Sequence, residues 1–591
     1  MVRELEGGRY LAAEVRRGGE PTATILAGNV LPQLIEGITF EQTMRWIGAP
    51  GDSAEAAALR RTAFSRPIRW LLALHGGQVV PFQFAGLRAD RTTRSLRFRD
   101  PATVELGRAD EYRPRLTALG ITVDPAERRR LILEQAGALA LAAGGAIEAE
   151  DGLLDEVAQL VEAPQSLLGD FDSAFLDLPA EVLTAVMKKQ QRYFPVRSAQ
   201  GDLLPHFVVV RNGGMEGLDS IRAGNEHVLR ARFADAEFFL RKDRAHPLEF
   251  YRPLLARLAY QAGLGSMLDK AERIHRLAPA FATDMGLAQD DMAATLRAAY
   301  LCKADLATAM VAEMTSLQGV LGKIYARESG EPQAVGQAIF EHHLPRFAGD
   351  ALPESAAGIA VGLADRADSL AALFAAGLQP SGARDPFALR RTAIGLVQIL
   401  VARGLRVDLD RWLALAGDNL PLPFDESARR ACLQFVAARH EAVLLAEGHR
   451  YDVVAAVLQA QGRDPAGVAL AVADLEPAVA DPTWPPVLQA FARCARIVRG
   501  QKVGGAVDSG LFDTDAERGL LLGLDKVRHP VESVDELVRS LRALVPPITD
   551  FFDKVLVMDE DLALRANRLA LVQRVVELAD GIADLSKLEG F

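Results

Sequence analysis

Residues 302–326 read CKADLATAMVAEMTSLQGVLGKIYA, and residues 363–374 read LADRADSLAALF. In both stretches Ala, Leu, Met and Ile recur at spacings of three and four residues, the period of a helix with a buried face. The pattern extends from about residue 225 to residue 415, with Gly or Pro at its breaks. The sequence therefore predicts a predominantly α-helical middle domain, which we place at residues 221–415.

The part of the chain before this domain is richer in strand signals. Residues 66–98 contain RPIRWLLAL, QVVPFQF and RTTRSLRF, which are short apolar or alternating runs separated by Gly and Pro. A helical stretch is expected at about residues 125–168, and RYFPVRS with PHFVVVRN is typical of a hairpin that turns at Gly201-Asp202. We predict a strand-containing α+β module over residues 1–220.

The rest of the chain is again helical in pattern. We expect breaks at residues 481–486 and at Pro546-Pro547. The segment is divided into a helical linker region at residues 416–490 and a helical C-terminal domain at residues 491–591. The predicted fold class is thus multidomain α+β.

Composition excludes several classes of protein. The chain has 591 residues, 49% hydrophobic and 25% charged, which is typical of a packed protein of several domains. Its three cysteines lie far apart, so neither a disulfide framework nor a thiolate zinc site is indicated. There is no signal peptide and no run of about 18 apolar residues, which predicts a cytoplasmic protein with no membrane segment. The formal net charge of −11 leaves room only for local contacts to nucleic acid.

One such basic segment is present. Nine arginines and a single acidic residue fall within residues 57–99. In RTTRSLRFR, a regular strand would place Arg91, Arg97 and Arg99 on one face and Arg94 on the other. Arg binds phosphate oxygens through paired hydrogen bonds, although a solvated, salt-bridged strand is an equally open interpretation. The candidate contacts are Arg66, Arg91, Arg94 and Arg97.

Residues 187–195, MKKQQRYFP, combine cations, amides and aromatic rings, which can follow a nucleic-acid backbone and stack on its bases. The alternative is a helix that runs into a core strand with its rings buried, and from these residues alone it is favoured. Residues 224–239, GNEHVLRARFADAEFF, have helical spacing, for which a structural helix is the default. The candidates in these two segments are Lys188, Lys189, Arg192, Tyr193, Arg230 and Arg232.

The middle domain also contains His and Asp residues of the kind that bind divalent metals. A metal-dependent phosphohydrolase of the HD type would need such a cluster, and it is the alternative function for this chain. The set lacks the adjacent His-Asp pair, because Ala304 precedes Asp305. We therefore predict no bound metal, and helix-capping or buried hydrogen-bonding roles instead. The residues concerned are Asp305, His342, His343, Asp365 and Asp368.

Motifs for nucleotide binding and catalysis are absent from the sequence. The segment Gly319-Val320-Leu321-Gly322-Lys323 lacks the spacing and the Ser or Thr of a phosphate loop. There is no GxSxG, HExxH or kinase motif set. We assign no catalytic residue to this chain.

Taken in order, a dozen phrases resemble the β subunit of the bacterial tetrameric glycyl-tRNA synthetase, and the resemblance runs from about residue 8 to residue 591. They are MRW, RPIRWLLAL, AGLRADRTTRSLRF, EVLTAVMKKQQRYFPV, GDLLPHFVVVRN, GNEHVLRARFADAEFFLRKDR, LGSMLDKAERI, CKADLATAMVAEMTSLQGVLGKIYA, EHHLPRFAGDALP, LADRADSLAALF, PSGARDPFALRR and FFDKVLVMDEDLALRANRLALV.

The resemblance implies a division of labour. Members of that family pair with a smaller α subunit in an α2β2 tetramer, and the α subunit carries the class II active site that uses ATP and Mg. It implies that this chain binds tRNA(Gly) and holds no cofactor itself. The module at residues 1–220 resembles one in the β chain of phenylalanyl-tRNA synthetase. Residues 221–415 resemble an HD-like domain used as a binding platform, and residues 491–591 a DALR-type anticodon-binding domain.

The phrase Leu562-Ala563-Leu564-Arg565 carries the DALR resemblance. Acidic residues 559–561 favour a helix N-terminus before it, and Leu569, Val572 and Val576 form a stripe expected to enter a core. The alternative is that Arg565 pairs with Asp561 and that Asn567 is a buried structural residue. The candidate anticodon contacts are Arg565, Asn567 and Arg568.

Two departures from the family pattern stand out. Members usually begin with roughly a further hundred residues, about the size of a small domain, so we expect a misassigned start or a fragment. The usual GHRF is replaced by Ser95-Leu96-Arg97-Phe98, so any role of that histidine is lost.

Overall fold

The computed structural model describes residues 2–5, 8–11, 22–46, 56, 59–60, 62–97, 102–382, 384–501 and 506–591. The chain divides into two compact units, Met1–Glu237 and Phe238–Phe591. The division falls inside a long helix, Leu218–Asp243. The α+β character is confirmed, while the finer boundaries after residues 220, 415 and 490 stay predictions.

The first unit contains short strands and small sheets. Its strands are Val2–Leu5, Gly8–Leu11, Leu71–Leu72, Leu74–His75, Gln78–Val79, Gln83–Phe84, Leu87–Asp90, Thr92–Arg94, Thr103–Glu105, Ala146–Ile147, Pro164–Asp170, Phe194–Arg197 and Leu203–Asn212. Its α-helices are Thr22–Ile25, Leu31–Glu36, Tyr112–Ala118, Pro125–Ala142, Asp151–Leu160, Ala180–Ala185 and the first part of Leu218–Asp243. Short 3-10 segments are Ala109–Glu111 and Ser173–Asp177, and π-helical turns are Leu26–Val30 and Val186–Gln191.

A four-stranded antiparallel sheet organises residues 146–212. Phe194–Arg197 and Leu203–Asn212 form the expected hairpin, which confirms that prediction. The prediction of helix up to residue 168 is wrong at its end, because Pro164–Asp170 is a strand paired along its whole length with Leu203–Asn212. Gly169 permits this pairing, since an added Cβ would lie 2.5 Å from Cζ of Phe207. Pairing at seven positions in a buried sheet stabilises the strand more than the Ala- and Leu-rich sequence favours a helix.

The second unit is almost entirely helical, as predicted. Its α-helices are Leu248–Tyr251, Met267–Asp284, Gln289–Leu301, Ala309–Glu313, Val320–Glu328, Gln333–Glu341, Ala356–Ala375, Leu389–Ala402, Leu409–Asp418, Glu426–Ala446, Tyr451–Gln461, Pro465–Ala480, Trp484–Val498, Asp515–Leu524, Val534–Lys554 and Leu562–Val576. Short 3-10 segments are Arg252–Arg257, Ala304–Ala307, Thr315–Leu317, Ser509–Leu511, Glu577–Ala579 and Leu585–Lys587. A two-stranded hairpin joins Ala259–Gln261 to Gly265–Ser266.

Ala356–Ala375 is the central helix of the middle region. It is buried along nearly its whole length, which agrees with the small and apolar residues on all its faces. Met267–Asp284, Gln289–Leu301 and Leu409–Asp418 pack against it. This helix therefore places Asp365 and Asp368 in the interior.

A second core runs from Leu444 to Leu588 and unites the C-terminal helices. The expected break at residues 481–486 is present between two helices. The break expected at Pro546-Pro547 is wrong, because both prolines lie inside Val534–Lys554. Burial of the apolar face of this helix outweighs the lost backbone donors. No helix in the described ranges is long and apolar enough to cross a membrane.

Candidate nucleic-acid interface

The arginine-rich segment folds into short paired strands with an exposed basic surface. Leu71–Leu72 pairs in parallel with Leu87–Asp90, and Thr92–Arg94 pairs with Thr103–Glu105. Five arginines of this surface are exposed and form no side-chain ion pair or hydrogen bond within the described part of the chain. They are Arg66, Arg69, Arg88, Arg94 and Arg97. We call this set the arginine surface.

Arg91 is not part of that surface. Its side chain is half-buried and donates to the carbonyl oxygens of Leu106 at 3.3 Å and Gly77 at 3.5 Å. The strand is also shorter than predicted, since it covers only residues 92–94 and Arg97 follows it in a turn. The expectation that Arg91 and Arg97 share a face of one regular strand is therefore wrong, because Arg91 is used inside the fold. Arg99, the third member of the expected face, lies outside the residues that the structure describes.

In the segment at residues 187–195, the structural interpretation holds for Lys188 and Tyr193. Lys188 is 9% exposed, and its ammonium group forms ion pairs with Glu148 and Glu150. Tyr193 is 4% exposed, stacks on Phe207 with ring centroids 4.8 Å apart, and its hydroxyl donates to Asn225 at 2.6 Å. Burial raises the pKa of Tyr193 to about 12. Neither side chain is placed to contact RNA, which corrects both candidates.

Arg192 and Lys189 differ in their availability. Arg192 ends the π-helical turn with a φ of 59° and pairs with Glu156 through its Nε at 2.8 Å. Its Nη1 atom donates to the carbonyl oxygens of Lys189 and Gln190, so the guanidinium group is already occupied and Arg192 is a weak candidate. Lys189 has an exposed side chain and stays a candidate.

Arg230 and Arg232 lie on the exposed side of Leu218–Asp243. The buried positions of this helix in the first unit are Leu229, Phe233 and Ala236, at spacings of four and three residues. Arg232 has only a distant pairing with Asp235, at 3.9 Å. Both arginines are therefore accessible, and their contact with RNA stays a prediction.

The His and Asp residues of the middle domain lie together, but buried cations lie among them. Lys270 contacts Asp365 at 2.8 Å and Asp368 at 3.0 Å. Arg273 donates to Asp368 through Nε at 2.6 Å. Burial would raise the pKa of Asp365, but the ammonium groups of Lys270 and Lys303 outweigh it and hold this pKa well below its ordinary value. The two carboxylates are thus neutralised by side chains of the protein itself.

Lys303 lies between the two groups that would have to share a metal. Its Nζ is 2.8 Å from Nε2 of His342 and 2.6 Å from Oδ2 of Asp365. Nδ1 of His342 lies 2.6 Å from the carbonyl oxygen of Ile339. These partners fit a neutral imidazole that donates from Nδ1 and accepts at Nε2. Burial, with the charge of Lys303, lowers the pKa of His342 well below its ordinary value.

Asp305 and His343 approach each other around Gly319. Oδ2 of Asp305 accepts from the Gly319 amide at 2.6 Å, so this amide is not free to bind a phosphate. Burial raises the pKa of Asp305 to about 6. Gly319 has a φ of 77°, and a Cβ there would lie 2.4 Å from Cδ2 of His343. In the described part of the chain no group of three or more His, Cys, Asp or Glu residues is arranged to hold a metal ion.

In the C-terminal helix Leu562–Val576, two of the three predicted anticodon contacts are structural. Asn567 is 6% exposed and pairs with the backbone of Asp508, accepting from its amide at 2.7 Å and donating to its carbonyl at 2.9 Å. Arg568 is 4% exposed and donates to Glu517 at 2.8 Å, to Asp513 at 2.6 Å and to Asp559 at 2.7 Å. Burial removes both from the candidate interface.

Arg565 is half-buried and has no side-chain partner among the described residues. The alternative in which it pairs with Asp561 is not found, because that carboxylate caps the helix by accepting from the amides of Ala563 and Leu564. Of the predicted core stripe, Leu569 and Val572 are buried, and Val576 is partly buried against the same core. Arg565 stays the candidate in this domain.

Known proteins of one family are similar to this chain over most of its length. A model of the glycyl-tRNA synthetase beta subunit family matches residues 1–459. The glycine--tRNA ligase beta subunit of Moorella thermoacetica is 40% identical over 601 residues, covering 100% of this chain and 85% of that protein. The beta subunit of Clostridioides difficile is 38% identical, covering 98% and 83%. The Arabidopsis thaliana glycine--tRNA ligase, chloroplastic/mitochondrial 2, is 37% identical, covering 98% of this chain and 54% of that protein.

The likeness extends through both units and defines a class, the subunits of aminoacyl-tRNA synthetases. The chain belongs to the glycyl-tRNA synthetase beta subunit family. This confirms the resemblance found in the sequence, and nothing among these relatives supports the phosphohydrolase alternative.

Sequence reasoning missed several residues of these sites. The buried cations of the middle domain were not singled out, because an isolated Lys or Arg in a sequence of helical pattern gives no sign that it is buried. These cations are Lys270, Arg273 and Lys303. Arg69 and Arg88 were counted in the basic segment but not taken as candidates. Trp70 was assigned to a strand, although an aromatic residue next to an arginine in so basic a segment could have been noticed.

Proposed function

We propose that this chain acts with a separate α subunit to attach glycine to tRNA(Gly), that it contributes tRNA binding, and that the assembly is an α2β2 tetramer. Its membership of the beta subunit family is the observation that supports this proposal most strongly. The exposed arginine surface supports a role in RNA binding, because phosphate contacts supply most of the sequence-independent affinity for nucleic acids.

The α subunit would supply the adenylation site, using ATP and Mg, and this chain would bind no cofactor of its own. Two observations support this part of the proposal. The Gly319 amide is bonded to Asp305 rather than free for a phosphate. The Lys303 ammonium group lies where His342 and Asp365 would hold a metal. We further propose that the middle region is an HD-like binding platform and that the C-terminal core is an anticodon-binding domain.

The division of labour is tested by glycine-dependent pyrophosphate exchange and by charging of glycine tRNA. The chain alone should show neither activity, and addition of the α subunit should restore both. Exchange by this chain alone would contradict the proposal, as would charging by the α subunit that is unaffected by this chain.

The role of the arginine surface is tested by Arg94→Ala combined with Arg97→Ala. If both arginines contact phosphates, tRNA affinity should fall and the slope of log K against log salt should flatten by about one unit per lost contact. The matched control is Arg129→Ala with Arg130→Ala. These arginines lie in the same unit, but each already forms an ion pair, Arg129 with Asp155 and Arg130 with Glu134. Equal slopes for wild type and for the folded Arg94/Arg97 variant would make the surface a solvated one.

A further inference from the structure

Trp70 is an exposed aromatic side chain next to Arg94 of the arginine surface. Its exposed fraction is 43%, which is high for a large apolar residue. The guanidinium carbon of Arg94 lies 5.2 Å from the centroid of its ring, within the range of a cation–π contact. The indole of Trp70 therefore has a cation beside it and a large part of its surface in solvent.

The position of Trp70 follows from strand pairing. Leu71 is paired in parallel with Ala89, so Trp70, which immediately precedes the strand Leu71–Leu72, lies close to Arg88 of the adjacent strand. Ala89 is buried, whereas Trp70 and Arg88 are exposed, as expected where successive side chains point to opposite faces. The pairing of Leu71 with Ala89 thus brings Trp70 near Arg88, and the guanidinium group of Arg94 lies over the Trp70 ring.

A second exposed tryptophan in the same unit shows how Trp70 differs. Trp46 is 41% exposed, but its indole nitrogen donates to the carbonyl oxygen of Phe64 at 2.8 Å. The indole nitrogen of Trp70 has no such partner among the residues that the structure describes. Unlike Trp70, Trp46 has no cation over its ring within the described ranges. Trp46 is therefore fixed by a bond within the fold, whereas the indole nitrogen of Trp70 has no partner among the described residues and much of its ring stays exposed beside Arg94.

We propose that Trp70 is a stacking platform for an unpaired nucleotide of RNA, with Arg94 and Arg88 placed to contact the adjoining phosphates. Proteins that bind single strands combine a basic surface with aromatic rings on which bases stack, and each stacked base contributes substantially to affinity. A duplex stacks its bases internally and offers only its backbone to such a site. The inference rests on the proposed RNA-binding function and names the part of the RNA that this surface would take.

The test uses the fluorescence of Trp70. Of the four tryptophans, Trp412 and Trp484 are 1% and 2% exposed. In the whole 591-residue chain carrying Trp46→Phe, Trp70 is the single exposed tryptophan. A twelve-nucleotide single-stranded RNA should quench its fluorescence saturably, because a stacked base quenches indole emission. A blunt hairpin duplex with the same number of phosphates should quench it much less.

Substitutions then separate stacking from charge. In the same background, Trp70→Ala should abolish quenching and weaken single-strand binding at least about five-fold, while Trp70→Phe should retain part of the affinity. Arg94→Ala should flatten the salt dependence by about 0.7 unit of slope if it contacts one phosphate of a single strand. Circular dichroism would verify that each variant is folded.

The inference is overturned if single-stranded RNA saturates the protein without quenching, or if Trp70→Ala binds it as wild type does. It is also overturned if the emission of Trp70 changes when the α subunit is added but not when RNA is added, because the ring would then be a protein contact. Charging of glycine tRNA by wild type with the α subunit keeps these outcomes distinct from failure of the proposed function. Normal charging together with no stacking removes only the platform.

Discussion

Replacement of Arg568 distinguishes a structural arginine from an RNA contact. Arg568→Ala would remove four donated hydrogen bonds, to Glu517, Asp513, Asp559 and the carbonyl oxygen of Leu556. Glu517 has no solvent exposure, so its Oε1 would be left buried without its cation. Loss of one partner of a buried pair costs about 3–5 kcal/mol. The other two carboxylates are partly exposed and add little, so the expected loss is at least about 3 kcal/mol.

Hydrogen exchange measures this loss within the C-terminal core. About 3 kcal/mol corresponds to exchange roughly a hundred-fold faster for amides of Leu562–Val576, provided they exchange by opening of this core. Amides of Pro125–Ala142 in the first unit serve as the internal standard. Arg565→Ala is the matched control on the same helix, and it should change protection by about 0.5 kcal/mol or less, because Arg565 has no side-chain partner in the part of the chain that the structure describes.

The reasoning would be refuted by equal protection in Arg568→Ala and wild type, or by the same loss in Arg565→Ala. Because Arg568→Ala should loosen the domain, its effect on charging says nothing about base recognition. Arg565→Ala alone is the informative variant for charging glycine tRNAs with altered anticodons.

Three further predictions concern buried charges. Burial raises the pKa of Asp305 to about 6, so this carboxyl stays protonated in the folded protein below that pH. The unfolding free energy of wild type, measured in urea, should therefore fall by about 2–3 kcal/mol relative to Asp305→Asn as pH rises from 4 to 7. The same pH dependence of unfolding free energy in both proteins would contradict this. Lys188→Met should lower the melting temperature of the first unit and its free energy of unfolding by about 1 kcal/mol, because two ion pairs are lost. The salt dependence of tRNA binding should not change. A flatter dependence would restore Lys188 as an RNA contact. Protein incubated with manganese, iron or nickel and then desalted should retain no stoichiometric metal, because Lys303 lies between His342 and Asp365, the side chains that would bind it. Metal that is retained by wild type and lost in His342→Ala would show a metal site.

The sign of the Asp305 prediction follows from its raised pKa. In the unfolded chain this carboxyl titrates near its ordinary value, so between about pH 4 and pH 6 the folded state binds more protons. Stability contributed by the protonated group is present at low pH and is lost as pH rises through the folded pKa. Asp365 behaves oppositely, since its pKa is held low, and comparison with Asp305→Asn isolates the effect of Asp305.

The roles of several site residues could not be predicted from sequence, because the same residue type can be a buried structural partner at one position and an exposed cation at another. Lys188 and Lys189 are adjacent and chemically identical, yet one ammonium group is buried between two glutamates and the other is exposed. Arg565 and Arg568 lie one turn apart, and only Arg568 meets three acids. Glu517 lies in the helix Asp515–Leu524, whereas Asp513 precedes that helix and Asp559 precedes Leu562–Val576, so the approach of these acids depends on tertiary packing.

The family, the strand-containing first part and the helical remainder were predictable from sequence, because ordered phrases and hydrophobic periods are local properties of the chain. The sequence also indicated the missing ligand of the His and Asp cluster, since Ala304 stands before Asp305. Which cations are free depends instead on tertiary contacts. Lys303 meets His342 and Asp365 across long separations in sequence, and Trp70 is exposed beside Arg94 because two short strands lie next to each other. Burial and charge pairing arise from such distant contacts, and no local pattern records them.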